Sequence, residues 1–132
     1  MIHLGDYLYE YVAVAGVDGR TVEPENEIVS LSDYRTRHSH YKLDKDLRNM
    51  HQQYPMISIW DDHESANDAW MGGAQNHNPV LEGDWNTRKA SSKQAYFEWM
   101  PIRLNSEDSL RIYRTIEYGD LLTLYMLSLI HI

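Results

Sequence analysis

Apolar residues fall in short runs divided by long polar stretches, and the runs set the expected elements. Met1 to Leu4 reads as a short buried strand ending at Gly5-Asp6. Tyr11 to Val29 holds Gly16, Asp18-Gly19, Pro24 and scattered acids, which predicts a loop with a turn at Asp18-Gly19. Ser32, just after the apolar Leu31, is the expected N-cap of a helix from Asp33 that carries Tyr34, Arg35, Arg37, His38 and Tyr41. Asp44 caps a second helix, with Leu47, Met50, His51 and Tyr54 at spacings of three and four, and Pro55 ends it. Met56 to Trp60 is the next expected strand. Ser65 to Asp84, with Gly72-Gly73, Gly83 and several Asn, reads as one long loop, a length often tied to function. Trp85 to Met100 contains no breaker and predicts a helix closed by Pro101. Arg111 to Ile116 alternates like a half-buried strand. Tyr118-Gly119-Asp120 reads as a turn, and Leu121 to Met126 as a buried strand.

Helices interleaved with strands predict an α/β or α+β layered fold. At 132 residues the chain fits one domain, with no repeat and no low-complexity tract. Four strands are few for a full sheet, and the outer two lie at the chain ends. The chain is therefore expected to be a piece of a larger domain, prone in isolation to aggregate or partly unfold through bare sheet edges. A net charge of −8 argues against nucleic acid as a partner, since a phosphate backbone demands a basic surface. The absence of cysteine excludes disulfides, thiolate zinc sites and a thiol nucleophile. No apolar run approaches the ~20 residues of a membrane span, and no leader segment is visible.

Two strand ends carry the candidate chemistry. In Gly5-Asp6-Tyr7-Leu8-Tyr9-Glu10 a glycine lets the backbone turn so that the next carboxylate can point into a site. A carboxylate can bridge two cations, and a phenolate suits Fe(III). In Trp60-Asp61-Asp62-His63-Glu64 adjacent carboxylates repel, and a cation would relieve that repulsion. Oxygen ligands favour Ca, Mg or Mn, and an imidazole widens the choice to Zn and Fe. The imidazole could instead protonate a leaving group. A solvated acidic loop, or a non-catalytic calcium-binding module built on Asp61 and Asp62, fits the same residues. His38, His40 and His51 read as surface or packing residues. Arg35 and Arg37 do not share a helix face, which disfavours a joint phosphate site. Asn67, Asn76, His77 and Asn78 are placed to reach a site from the long loop, and Trp99-Met100-Pro101 reads as a helix end on the core.

The two motifs together resemble the PhoD-like alkaline phosphatases. Ser32-Asp33-Tyr34-Arg35, His51-Gln52-Gln53-Tyr54-Pro55, Glu64-Ser65-Ala66-Asn67-Asp68, Glu98-Trp99-Met100-Pro101-Ile102-Arg103 and Arg111-Ile112-Tyr113-Arg114 are similar to that family as well, so the resemblance covers residues 1 to 126. It implies a calcineurin-like metallophosphoesterase, with two β-sheets layered in a sandwich and flanked by helices, of which this chain is a central part. It also implies an alkaline phosphatase that hydrolyses phosphomonoesters and some phosphodiesters with Fe(III) and Ca2+. By motif, Asp6 is similar to the carboxylate that bridges the metals and Tyr9 to the tyrosinate ligand of Fe(III). Asp62 stands where the superfamily's Gly-Asn-His-Glu motif has its Asn and would ligate the second metal. His63 is similar to the histidine that contacts phosphate and helps the leaving group depart. A secreted or periplasmic, monomeric parent is implied too.

The chain also departs from the family. The ligand expected before Gly-Asp-x-x-Tyr and the later histidine and aspartate ligands are missing, so an incomplete, inactive site is expected of this chain alone. Where the family continues Met-Leu-Asp-Thr-Arg, the chain reads Met126-Leu127-Ser128-Leu129-Ile130-His131-Ile132. The last six residues match a translated sequencing-library adapter, so 127–132 is expected to be a non-native tail and His131 no ligand.

Overall fold

The computed structural model describes residues 1–13, 21–108 and 111–128. The expected turn at Asp18-Gly19 and His131 lie outside them. The order of elements is β1 (Ile2–His3), α1 (Leu31–Tyr41), α2 (Lys45–Gln53), β2 (Ile57–Ser58), β3 (Ala69–Trp70), β4 (Gly73–Ala74), α3 (Trp85–Trp99), β5 (Arg114–Tyr118) and β6 (Leu122–Met126). They form three two-stranded sheets: β1 with β2 in parallel, β3 with β4 and β5 with β6 antiparallel. The α/β class expected from the sequence is the one observed.

The parallel pair places the site. Ile2 pairs with Ile57 and His3 with Ser58, so both strands run out at the same end, β1 into Gly5-Asp6 and β2 into Trp60-Asp61-Asp62. Both strands are shorter than expected, and β1 is not buried: Ile2 is 49% exposed. The core lies to the other side, where Trp60 meets Tyr96 and Phe97 edge-on at 5.5 and 6.1 Å, beside the fully buried Leu8, Ile28, Tyr34 and Ile112.

Helix α1 begins two residues before its expected start. Ser30, not Ser32, is the N-cap: its hydroxyl accepts from the Asp33 N–H at 3.2 Å, while the Asp33 carboxylate accepts from the Ser30 N–H at 2.9 Å. This reciprocal box satisfies two N–H groups that a helix start leaves free. Asp44 caps α2 as expected, accepting from the Leu47 N–H at 2.8 Å. Helices α1 and α3 pack on each other, and Arg35 closes their far end with a bidentate pair to Glu98 at 2.6 and 2.7 Å.

Three other expectations change. The long loop contains the β3–β4 hairpin, whose Gly73 admits the Trp70 ring so closely that an added Cβ would lie 2.7 Å from it. Strand β5 starts at Arg114 rather than Arg111, whose N–H donates to the Asp108 carbonyl instead of to a strand partner. Strand β6 is largely exposed, with Tyr125 at 73%, since β5 is its one partner among the described residues.

His38 is buried between α1 and α3, its ring 6.4 Å from Trp99, 6.2 Å from Tyr96 and 6.1 Å from Tyr7, with Nδ1 lacking a hydrogen-bond partner. Burial, helped by Lys42 and opposed by Glu98, pushes its pKa down to about 3. The folded state refuses a proton that the unfolded chain takes up near pH 6.5. Stability is therefore intact above about pH 6.5 and falls as the pH drops toward 3, by up to about 1.4 kcal/mol per unit from this group. Unfolding midpoints followed from pH 7.5 to 4.5 should fall more steeply in wild type than in His38→Phe; parallel profiles would mean that His38 does not titrate this way.

Candidate functional site

The backbone at the end of β1 is forced into an unusual path. Gly5 has φ +115°, and a Cβ there would sit 2.5 Å from both the Cβ and the amide nitrogen of Asp61. Only glycine lets the two strand-end loops approach this closely. Asp6 follows at φ +56°, a left-handed conformation that costs a non-glycine residue of order 1 kcal/mol or more. The strained turn lifts the Asp6 carboxylate toward Asp62 and His63. One ligand atom from each of these three residues lies within 4.8 Å of the others.

Glu64 holds the two loops together. It is buried, its Oε2 accepts from the N–H groups of Asp6 (3.1 Å) and Asp61 (2.7 Å), and its Oε1 accepts from Tyr7 N–H. Burial raises its pKa to about 7 against the opposing pull of these three donors. The next turn is fixed by Asp62, whose carbonyl accepts from Ser65 and Ala66 at 2.8 and 2.9 Å and whose carboxylate accepts from Asp68 N–H.

His63 is held on several sides. Its Nδ1 lies 2.7 Å from Oε2 of the fully buried Glu10. The other Glu10 oxygen accepts from Asn67 N–H at 2.7 Å and Asn76 Nδ2 at 2.8 Å. With Glu10 ionised, Nδ1 carries the proton and Nε2 is the nitrogen left for chemistry. The Tyr9 ring lies 4.2 Å from the His63 ring and the Tyr11 ring 5.4 Å from it. Burial works to lower the His63 pKa, but the bond and charge of Glu10, with Asp62 and Asp6, leave it raised.

Asp6, Tyr9, Asp62 and His63 are thus brought together, with the Tyr9 hydroxyl donating to Asp6 Oδ2 at 3.3 Å. Asp61 adjoins them, its pKa raised by burial and by Asp62 and Asp6. Of the long-loop residues, Asn67 and Asn76 reach the site through Glu10, whereas His77 and Asn78 serve local bonds to Gly83, Glu82, Val80 and Leu81. Arg35 is engaged by Glu98. Arg37 is buried and donates to the carbonyls of Tyr9, Tyr11, Glu23, Pro24 and Asn26, which fixes the loop that carries Glu10. Glu10 was part of the motif in the sequence but had no role there, because its partners lie 53 to 66 residues away.

A cation fits this set. Asp6 Oδ1 is buried and lacks a hydrogen-bond partner, a costly state that a metal ion would relieve. Burial and the nearby Asp6, Glu64 and Asp62 also raise the Tyr9 phenol pKa, a bias that a cation reverses. The donors are carboxylates, a phenol and an imidazole, which suits hard or borderline metals.

The family model for PhoD-like phosphatases matches residues 1–129. The chain is 34% identical over 134 aligned residues to alkaline phosphatase D of Bacillus subtilis (strain 168), a match covering 97% of this chain and 23% of that protein. A solved structure titled "Structure of PhoD" superposes with a TM-score of 0.77 at 36% identity, covering 94% of this chain and 24% of the other. The chain therefore spans about a quarter of the length of these relatives.

Proposed function

Because the chain belongs to the PhoD-like phosphatase family, we propose that its parent is a phosphoric ester hydrolase, and that Asp6, Tyr9, Asp62 and His63 are this chain's contribution to the active site. The observation that carries the reading is the meeting of two strand ends at one point, with an unpartnered Asp6 oxygen at its centre. Asp6, Tyr9 and Asp62 would hold the metals, which the family resemblance suggests are Fe(III) and Ca2+. When bound, such metals supply an acidified water and neutralise phosphate oxygens.

The residues of the chain do the rest. Asp6 places its carboxylate through a turn that Gly5 permits and Glu64 clamps. His63, kept in one tautomer by Glu10, presents Nε2 to the phosphate. With the Glu10 carboxylate facing Nδ1, a proton carried on Nε2 passes to the departing alcohol oxygen. Tyr9 packs on the His63 ring and limits its rotation. The chain alone supplies only part of a ligand set, so activity is expected of the longer protein. The reading is tested by chelating the metal from the chain extended to the length of its relatives: hydrolysis of p-nitrophenyl phosphate should disappear and return when metal is restored.

A further inference from the structure

The leaving group of a phosphoester must lie beside the group that protonates it, so the surface around His63 bears on which alcohols can depart. Glu10 occupies the buried Nδ1 side of that ring. Tyr9 packs against the ring and ties its hydroxyl to Asp6, on the metal-binding side. Tyr11 meets the ring at 63°, with centroids 5.4 Å apart, and keeps 41% of its surface exposed. Val12, next in the chain, is 55% exposed, so solvent-facing apolar surface starts at the proton donor and continues away from it.

This surface is built on a fixed backbone. Arg37 donates to the Tyr11 carbonyl from two nitrogens, each at 3.2 Å, and to the Tyr9 carbonyl as well. Glu10 accepts through its carbonyl from Ile28 N–H at 2.9 Å, and Ala13 N–H donates to the Glu25 carbonyl at 2.7 Å. A ring presented this way loses little freedom when a ligand stacks on it. An aromatic face presented in this way takes up a second ring by stacking.

We propose that Tyr11 is a specificity-determining platform for the leaving group, favouring phosphoesters of aromatic alcohols over those of small alkyl alcohols. The proposal rests on the phosphoester-hydrolase reading above, and it adds the class of alcohol. Tyr11 is not among the residues assigned to the metals or to the phosphate, so its effect should appear in KM and depend on the alcohol.

The test compares phenyl phosphate and glycerol phosphate as substrates of the metal-loaded, full-length protein. Wild type should show a lower KM for phenyl phosphate than for glycerol phosphate. Tyr11→Ala should raise the phenyl phosphate KM about tenfold, the scale of one lost stacking contact, while the glycerol phosphate KM moves by less than about twofold. Tyr11→Phe, which keeps the ring, should retain the wild-type preference. Equal shifts for phenyl and glycerol phosphates, or no shift for either, would overturn the proposal with the functional reading intact. A wild-type protein that hydrolyses neither ester would overturn the functional reading itself and this proposal with it.

Discussion

Asp6→Asn should lower kcat/KM of the full-length protein by roughly 10³-fold or more while leaving its fold in place. Asparagine is nearly the size of aspartate and is among the few residues that tolerate the left-handed backbone Asp6 adopts at φ +56°. The backbone N–H of residue 6 would still donate to Glu64, so the clamp between the two loops survives. What goes is one negative charge and one anionic oxygen at the point where Asp6, Asp62 and His63 converge. Mutual repulsion among Asp6, Asp61 and Asp62 falls with it, so the unfolding midpoint of the metal-free protein should stay the same or rise. A gain in stability with a loss of activity is the mark of a residue held in strain for function. If Asp6→Asn instead unfolds the protein, Asp6 is a structural residue and the strained turn needs another explanation.

Glu10→Gln should lower kcat about 10²-fold for esters of alkyl alcohols and much less for p-nitrophenyl phosphate. In wild type the buried carboxylate accepts the Nδ1 proton of His63 and stabilises the imidazolium, which carries its second proton at Nε2. Two further donors, Asn67 N–H and Asn76 Nδ2, already hold the other oxygen. In the variant the amide oxygen stays with those two donors, so the amide NH2 turns toward Nδ1. The imidazolium then faces a donor and is disfavoured, and a neutral imidazole is a weak acid. Alkyl alcohols need protonation to leave, whereas p-nitrophenolate leaves without it. A purely structural role for Glu10 predicts equal losses on both esters.

Legibility from sequence varied with the range of the interactions involved. The Asp44 cap, the Trp85–Trp99 helix and the Tyr118-Gly119-Asp120 turn rest on neighbours within a few residues, and they could be read directly. The position of Asp6 beside Asp62 and His63 was legible because two strand-end motifs, joined with family resemblance, point to one site. The start of α1 was not, since Ser30 and Ser32 both suit a cap and only the reciprocal Asp33 bond selects Ser30. The β3–β4 hairpin escaped notice because its strands are two residues long and its turn reads as polar loop. Strand β6 looked buried on composition, yet Leu122 and Tyr125 face solvent where no third strand covers them among the described residues, and only Met126 is fully in the core.

The roles of Glu10, Glu64 and Arg37 were the hardest to see. Each is a charged residue that a sequence reading places on the surface, and each is buried here. Arg37 binds five backbone carbonyls, Glu64 binds three backbone N–H groups, and Glu10 binds His63 and two donors from the long loop. Such groups are stable in the interior only when nearly every bond is satisfied, and their partners are set by the tertiary fold. They join the two strand ends into one site, and none has a metal-ligand signature of its own.

The most direct measurement is metal content beside p-nitrophenyl phosphate hydrolysis, before and after chelation, on the chain extended to the length of its relatives. The account predicts bound iron and calcium, hydrolysis that is lost on chelation, and recovery when the metals are restored. Hydrolysis that persists without metal would contradict the site assigned to Asp6, Tyr9 and Asp62. Calcium binding with no hydrolysis at all would leave an acidic calcium-binding module in place of an enzyme.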